Sequence, residues 1–220
     1  MELAAQATER TTAATDALLA VAAILLLAML RRRTPPSFAR AVWLAALASM
    51  AVASAIGAVA HGLRLSAATS DLLWQPLYLA LGTTMALFVV GAVRDWRGDR
   101  PARRALPPML LLTLVFYGAT RAAGGDFLVF VLYEVAALGF ALIVYAWLAV
   151  RRRRRGAAAM AAALAVSLAA GAVQAADLGT VRLLWEFDHN GLFHLVQLAG
   201  VALLAIGLRR ILQHRALEAV

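Results

Sequence analysis

The chain of 220 residues contains no cysteine and no lysine, and only 15% of its residues are charged. Without cysteine it has no disulfide, no thiolate metal site and no cysteine nucleophile. It also lacks a glycine-rich phosphate loop, a Gly-x-Ser-x-Gly elbow and a His-Glu-x-x-His motif, which excludes the enzyme classes that depend on them. Hydrophobic residues make up 63% of the chain, which is more than a soluble domain usually carries.

These hydrophobic residues form long runs, and runs of about 18 or more predict membrane spans. We predict an all-α fold, a polytopic seven-transmembrane-helix bundle in which residues 1–220 form a single domain. A charge-rich segment with a proline, residues 94–104, is predicted to be a loop. The predicted spans cover approximately residues 16–30, 38–63, 71–93, 105–120, 127–150, 157–176 and 191–212.

The distribution of arginine predicts the orientation of the bundle, because loops rich in Lys and Arg stay in the cytoplasm. The loops after spans one, three and five and the C-terminal tail hold 17 of the 21 arginines, with Arg40 counted among them. The other side has only Arg10, Arg64, Arg121 and Arg182. The N-terminus is therefore expected outside and the C-terminus in the cytoplasm.

This placement also explains the net charge of +9 without nucleic acid, so membrane lipids are the expected partners. Residues 1–16 carry three acids, Glu2, Glu9 and Asp16, against the single Arg10. A signal peptide begins with positive charge, so the first span is expected to be retained. Arginine without lysine and abundant alanine suggest GC-rich coding, and hence the inner membrane of a bacterium.

Polar residues gather at the predicted outer ends of the spans. His61 ends span two, Asp71 opens span three, and His189 and His194 open span seven; the fourth histidine, His214, lies in the predicted tail. Three imidazoles and a water form a common catalytic zinc environment, in which the metal lowers the pKa of the water. Asp71 is expected to orient a histidine or to act as a general base.

The spacing of the two span-seven histidines sets a condition on such a site. Five residues turn a helix by about 500°, which leaves His189 and His194 about 140° apart. They share a metal only if the helix begins between them, near residue 190, with Asp188 or Asn190 as its N-cap. An interfacial role for the histidines, without a metal, is the alternative.

Two further polar residues lie deeper in the predicted spans. Ser54 precedes His61 by two helical turns, so it either faces the site or, as we expect, hydrogen-bonds back to its own helix. Glu134 lies two turns into span five, where a carboxylate is costly unless it is paired. Arg121 is its expected partner.

The seven spans, a histidine late in span two, an aspartate ten residues on and two histidines opening span seven resemble the superfamily of alkaline ceramidases and progestin/adipoQ-type receptors. The resemblance implies a seven-helix bundle with zinc held by His61, His189 and His194, completed by Asp71 and a serine, for which Ser54 is the candidate. The superfamily's histidines are usually four apart, and its serine usually stands where this chain has Gly57.

Residues 187–194 also resemble an uncharacterised bacterial seven-helix family with the motif Phe-Asn-His-Asn-Asp-x-Tyr-His, a likeness that covers most of the chain. Two functions therefore stay open. One is a membrane-embedded zinc-dependent hydrolase of a lipid amide or ester. The other is a non-enzymatic membrane protein, such as a receptor, a ligand- or haem-binding protein, or an assembly factor.

Overall fold

The computed structural model describes residues 2–176 and 179–218, and the side chains of this part up to residue 213. This part of the chain contains seven helices, each long and apolar enough to cross a membrane, so the predicted all-α bundle is confirmed. A short hairpin, β1 (Val181–Arg182) with β2 (Glu186–Phe187), precedes the last helix. The helices are α1 (Ala7–Arg33), α2 (Phe38–Gly62), α3 (Ala67–Arg97), α4 (Asp99–Ala122), α5 (Leu128–Val150), α6 (Ala157–Ala175) and α7 (His189–Glu218).

Local sequence signals begin and end these helices. The hydroxyls of Ser37 and Ser66 accept hydrogen bonds from the backbone N–H groups of Arg40 and Thr69, and so cap α2 and α3. Tight turns at the glycine pair 124–125 and at Gly156 use positive φ angles, which glycine adopts without steric cost. The connections between consecutive helices from α1 to α6 are short.

Six helices form a closed ring in the order α1, α2, α3, α5, α6, α7, with α7 packed against α1. Helix α4 lies outside this ring and packs mainly against α3. We call the end of the bundle that carries the N-terminus, the α4–α5 turn and the hairpin the outer end, in accordance with the predicted orientation. The predicted outer residues His61, Asp71 and His189 all lie at this end.

The predicted loop at residues 94–104 is wrong. Helix α3 continues to Arg97 and α4 begins at Asp99, so that only Gly98 separates them. Gly98 has a φ of 95°, which allows the chain to reverse in one residue. Pro101 lies in the first turn of α4, where its missing N–H costs no helical hydrogen bond.

Arg94 and Asp95 of this segment are buried and paired, which explains why the segment forms helices and not a solvated loop. The Arg94 guanidinium donates to Asp95 at 2.9 Å and to Asp99 at 2.8 Å, and both Arg94 and Asp95 are fully buried. Tyr145 of α5 donates to Asp95 at 2.7 Å. This network joins α3, α4 and α5 at the end opposite the histidines.

The orientation of the bundle is tested with single cysteines, since the chain has none of its own. Ala123→Cys lies in the α4–α5 turn and Arg155→Cys in the α5–α6 connection, and both positions are exposed. In spheroplasts, a membrane-impermeant maleimide should label Ala123→Cys directly and Arg155→Cys only after permeabilisation. The reverse labelling pattern would contradict the predicted orientation.

Candidate functional site

The ring of helices encloses a cavity of about 750 Å³. It extends along α3 from Asp71 to Thr84, a distance of about 20 Å at 1.5 Å per residue. Its outer end is lined by His61, Asp71, Arg121, His189, Asn190 and His194. Its deeper walls include the apolar side chains of Leu19, Met50, Leu77, Leu81, Met85 and Phe130. The cavity is therefore polar at one end and largely apolar along its length.

His61, the penultimate residue of α2, is held by a carboxylate and an indole. Its Nδ1 lies 2.7 Å from Oε2 of Glu9 on α1. Its ring stands edge-on to Trp74 of α3, with a centroid separation of 5.8 Å. These contacts fix the imidazole at the cavity wall and leave its second nitrogen, Nε2, for another partner.

His194, in the second turn of α7, is buried and engaged at both ring nitrogens. Nδ1 lies 3.1 Å from the Thr15 hydroxyl, and Nε2 lies 3.3 Å from Oδ1 of Asp16. Asp16 in turn lies against Gly57 of α2, where a Cβ would come within 2.6 Å of its carboxylate. The glycine thus provides the space in which the aspartate reaches the histidine.

Helix α1 supplies site residues that the predicted constellation lacks. Glu9, Thr12 and Asp16 follow one another at intervals of three and four, so they lie on one helix face. Glu9 and Asp16 contact the two histidines, and Thr12 donates to Asp188 at 2.9 Å. The signal for this face is present in the sequence, as polar residues at helical spacing at the start of an apolar span.

Helix α7 begins at His189, not after it. Asp188 accepts a 2.8 Å hydrogen bond from the backbone N–H of Gly191, which confirms it as the capping residue. His189 and His194 therefore lie on one continuous helix, about 140° apart by helix geometry. The condition for their sharing a metal, a helix that begins between them, is not met.

His61, His189 and His194 nevertheless line the same cavity. Within the described part of the chain, no group of three His, Asp or Glu side chains is placed to hold a metal ion. Glu9 on Nδ1 of His61 resembles the carboxylate–histidine pairs found around metals. Both nitrogens of His194 have protein partners, however, so this arrangement does not fit a three-histidine zinc site.

Asp71 lies at the cavity mouth and is paired with an arginine. Its side chain, 57% exposed, accepts from Arg121 at 2.8 Å and from Gln75 at 3.2 Å. Asp71 therefore orients Arg121 and not a histidine. The expected pair between Arg121 and Glu134 is wrong, because the Arg121 guanidinium pairs with Asp71 of α3 instead.

Ser54 is buried and lines the cavity. The expected hydrogen bond back to its own helix is not formed, and the described residues contain no partner for its hydroxyl. The hydroxyl thus lies one turn deeper than Gly57 on the cavity wall. It contributes a donor and an acceptor to the cavity without belonging to the histidine contacts.

The contact between Asp16 and Gly57 is testable by adding one methyl group. Gly57→Ala should displace the carboxylate from His194 and destabilise the protein by about 1–3 kcal/mol, as overpacking does in well-packed interiors. Thermal unfolding in detergent measures the change. Gly139→Ala on α5, where a Cβ meets nothing within 4 Å, is the matched control and should not lower Tm. Equal Tm values for the two variants would contradict the described contact.

Comparison with known proteins gives one match. No curated protein and no solved structure matches the chain. The sequence pattern of one family covers residues 11–213, which include all seven helices nearly in full and every cavity residue named above. The chain therefore belongs to the family of unknown function DUF6962.

Proposed function

We propose that this seven-helix membrane protein binds an amphiphilic, lipid-like molecule in its central cavity. The observation that carries the proposal is one cavity of about 750 Å³ with a polar outer end and apolar deeper walls. This volume lies within the range of about 300–1,000 Å³ that is typical of small-molecule sites. Its length of about 20 Å matches an extended chain of more than ten carbons better than a compact solute.

The polar end of the cavity supplies the selectivity of such a site. A lipid chain that moves from the bilayer into the cavity exchanges one apolar environment for another, so burying the chain contributes little. Hydrogen bonds to the head group contribute more, because they replace contacts that hydrocarbon cannot provide. The Nε2 of His61 and the hydroxyl of Ser54 line the cavity without a partner among the described residues, and they offer a donor and acceptors for this purpose.

A bulky side chain in the apolar part of the cavity tests the proposal. Leu81→Trp on α3 should fill the space in which the chain lies, while Leu111→Trp on the exposed face of α4 should not. After purification in detergent, the lipids that remain bound are extracted and quantified by mass spectrometry. We expect about one amphiphile per chain in wild type and in Leu111→Trp, and about tenfold less in Leu81→Trp.

The same retained lipid in all three proteins would contradict binding in the cavity. Tm values in detergent show whether Leu81→Trp remains folded. A small loss of Tm is expected from the larger side chain alone, so the lipid content is compared at a temperature well below unfolding.

Zinc-dependent hydrolysis of a lipid amide or ester is the second candidate. It is favoured by one observation, that His61, His189, His194 and Asp71 line the cavity together. The partners of His194 do not fit a zinc ligand set, so we assign no catalytic step to a metal. Such a site requires His194 to exchange Asp16 or Thr15 for the metal.

Metal content separates the two candidates. For a binding protein, purified wild type should contain much less than one zinc per chain, and His61→Ala and His194→Ala should leave that content unchanged. About one zinc per chain in wild type, lost in both variants, would support the hydrolase instead. Elemental mass spectrometry on detergent-purified protein gives the result, with His214→Ala near the C-terminal end of α7 as the control variant.

A further inference from the structure

One carboxyl group in the cavity has no basic partner. Glu134 of α5 is only 4% exposed, and it lines the cavity. Within the described residues, no side chain donates a hydrogen bond to Glu134 and no arginine or histidine pairs with it. A buried carboxylate without a partner is strongly unfavourable, so Glu134 is either a neutral carboxylic acid or is balanced by a positive charge beside it.

The neighbouring helix makes room for this carboxyl group. A Cβ on Gly171 of α6 would lie 3.0 Å from Oε2 of Glu134, so the glycine allows the carboxyl to approach the helix backbone. The side chain thus lies where α5 meets α6, within the wall of the ring. It is held in place by packing and not by an ion pair.

Two amide groups add acceptors to the same region. Gln174 of α6 donates to Asn190 at 3.0 Å through its Nε2, which leaves its Oε1 buried without a donor. The Oε1 of Gln197 on α7 is likewise buried without a donor. Both glutamines line the cavity together with Glu134. Because both Oε1 atoms are closed to solvent, the Glu134 carboxyl is the acceptor among these three groups that the cavity presents to a ligand.

Four other basic side chains line the cavity, Arg121, His61, His189 and His194; none of them pairs with Glu134, and three have other partners. Arg121 binds Asp71 at 2.8 Å, His61 binds Glu9 at 2.7 Å, and His194 contacts Thr15 and Asp16. They lie toward the mouth, on α4, α2 and α7. The compensating charge for Glu134 is therefore expected from a ligand.

We propose that the cavity takes an amphiphile with a primary amine, whose ammonium group binds the carboxyl group of Glu134. This inference rests on the proposed function and names the head group of its ligand. An ammonium has a positive charge, N–H donors and no acceptor, which complements a carboxyl group without a basic partner. An anionic head group such as a phosphate meets repulsion from Glu134 and finds no uncommitted arginine among the described cavity residues.

The apolar part of the ligand follows from the position of Glu134. Phe130 lies one turn from Glu134 on α5 and also lines the cavity, as do Leu81 and Met85 of α3. An alkyl chain attached to the amine contacts these apolar walls, while the ammonium group lies at Glu134. The ligand class is thus a long-chain amine and not a compact, fully polar cation.

Two probes of equal length test this inference. Dodecylamine and dodecanol share one alkyl chain and differ in the positive charge. Binding of each probe to the full chain in nanodiscs of phosphatidylcholine is measured by native mass spectrometry. Competition between the two probes gives the ratio of their affinities. We expect wild type to bind dodecylamine about tenfold or more tightly than dodecanol, since hydrogen bonds to charged groups are the stronger ones.

Glu134→Gln should remove this preference, because it should weaken the binding of dodecylamine and leave the binding of dodecanol unchanged. It keeps the size of the side chain and deletes a buried carboxyl without a partner, so folding is not at risk. Glu186→Gln on the exposed hairpin is the matched control and should keep the preference.

Equal binding of the two probes by wild type, or a preference that survives Glu134→Gln, would overturn the inference and leave the proposed function intact. Failure of wild type to bind either probe, with the same retained lipid in Leu81→Trp and wild type, would overturn the proposed function itself. The two failures are therefore distinguishable in one set of measurements.

Discussion

The polar face of α1 is the constraint on which the bundle depends. In a bilayer, helices gain little from burying leucine against one another, so close packing and polar contacts decide which helices become neighbours. Asp16 and Thr15 join α1 to His194 of α7, and Glu9 joins it to His61 of α2. The first helix of the chain thus contacts the second and the last. These contacts close the ring of helices around the cavity.

Glycines determine where carboxyl groups can enter this apolar interior. Asp16 lies against Gly57 of α2, and Glu134 lies against Gly171 of α6. A Cβ at either glycine would come within about 3 Å of the carboxyl group. The two carboxyls differ in what else they meet, because Asp16 reaches an imidazole and Glu134 reaches no basic group of the described chain. The first is a structural contact between helices, and the second retains its capacity for a ligand.

The sequence predicts the number of helices, because apolar runs are local features that a bilayer forces into helices. It also predicts the Asp188 cap and the glycine turn, which depend on a few adjacent residues. It does not predict which carboxyl meets which histidine, because this depends on the order of helices around the ring. Asp71 was expected beside a histidine and binds Arg121, while Asp16, 178 residues before His194, lies against its ring. Similarly, residues 94–104 are charged enough for a loop, and only the contact with Tyr145 of α5 reveals a buried network.

His194 decides between a structural and a metal-binding interpretation of the three histidines. A metal ligand donates a lone pair from one ring nitrogen, and the other nitrogen usually donates a hydrogen bond to a carboxylate or carbonyl. His61 meets this pattern, with Glu9 on one nitrogen. His194 does not, because a hydroxyl and a carboxylate occupy both of its nitrogens while its carboxylate partner also stands against Gly57. Releasing the ring for a metal would leave Asp16 buried without a partner and open the contact between α1 and α7. The contact that closes the ring and a zinc ligand at His194 therefore compete for the same imidazole, which favours a bound amphiphile over a metal in this cavity.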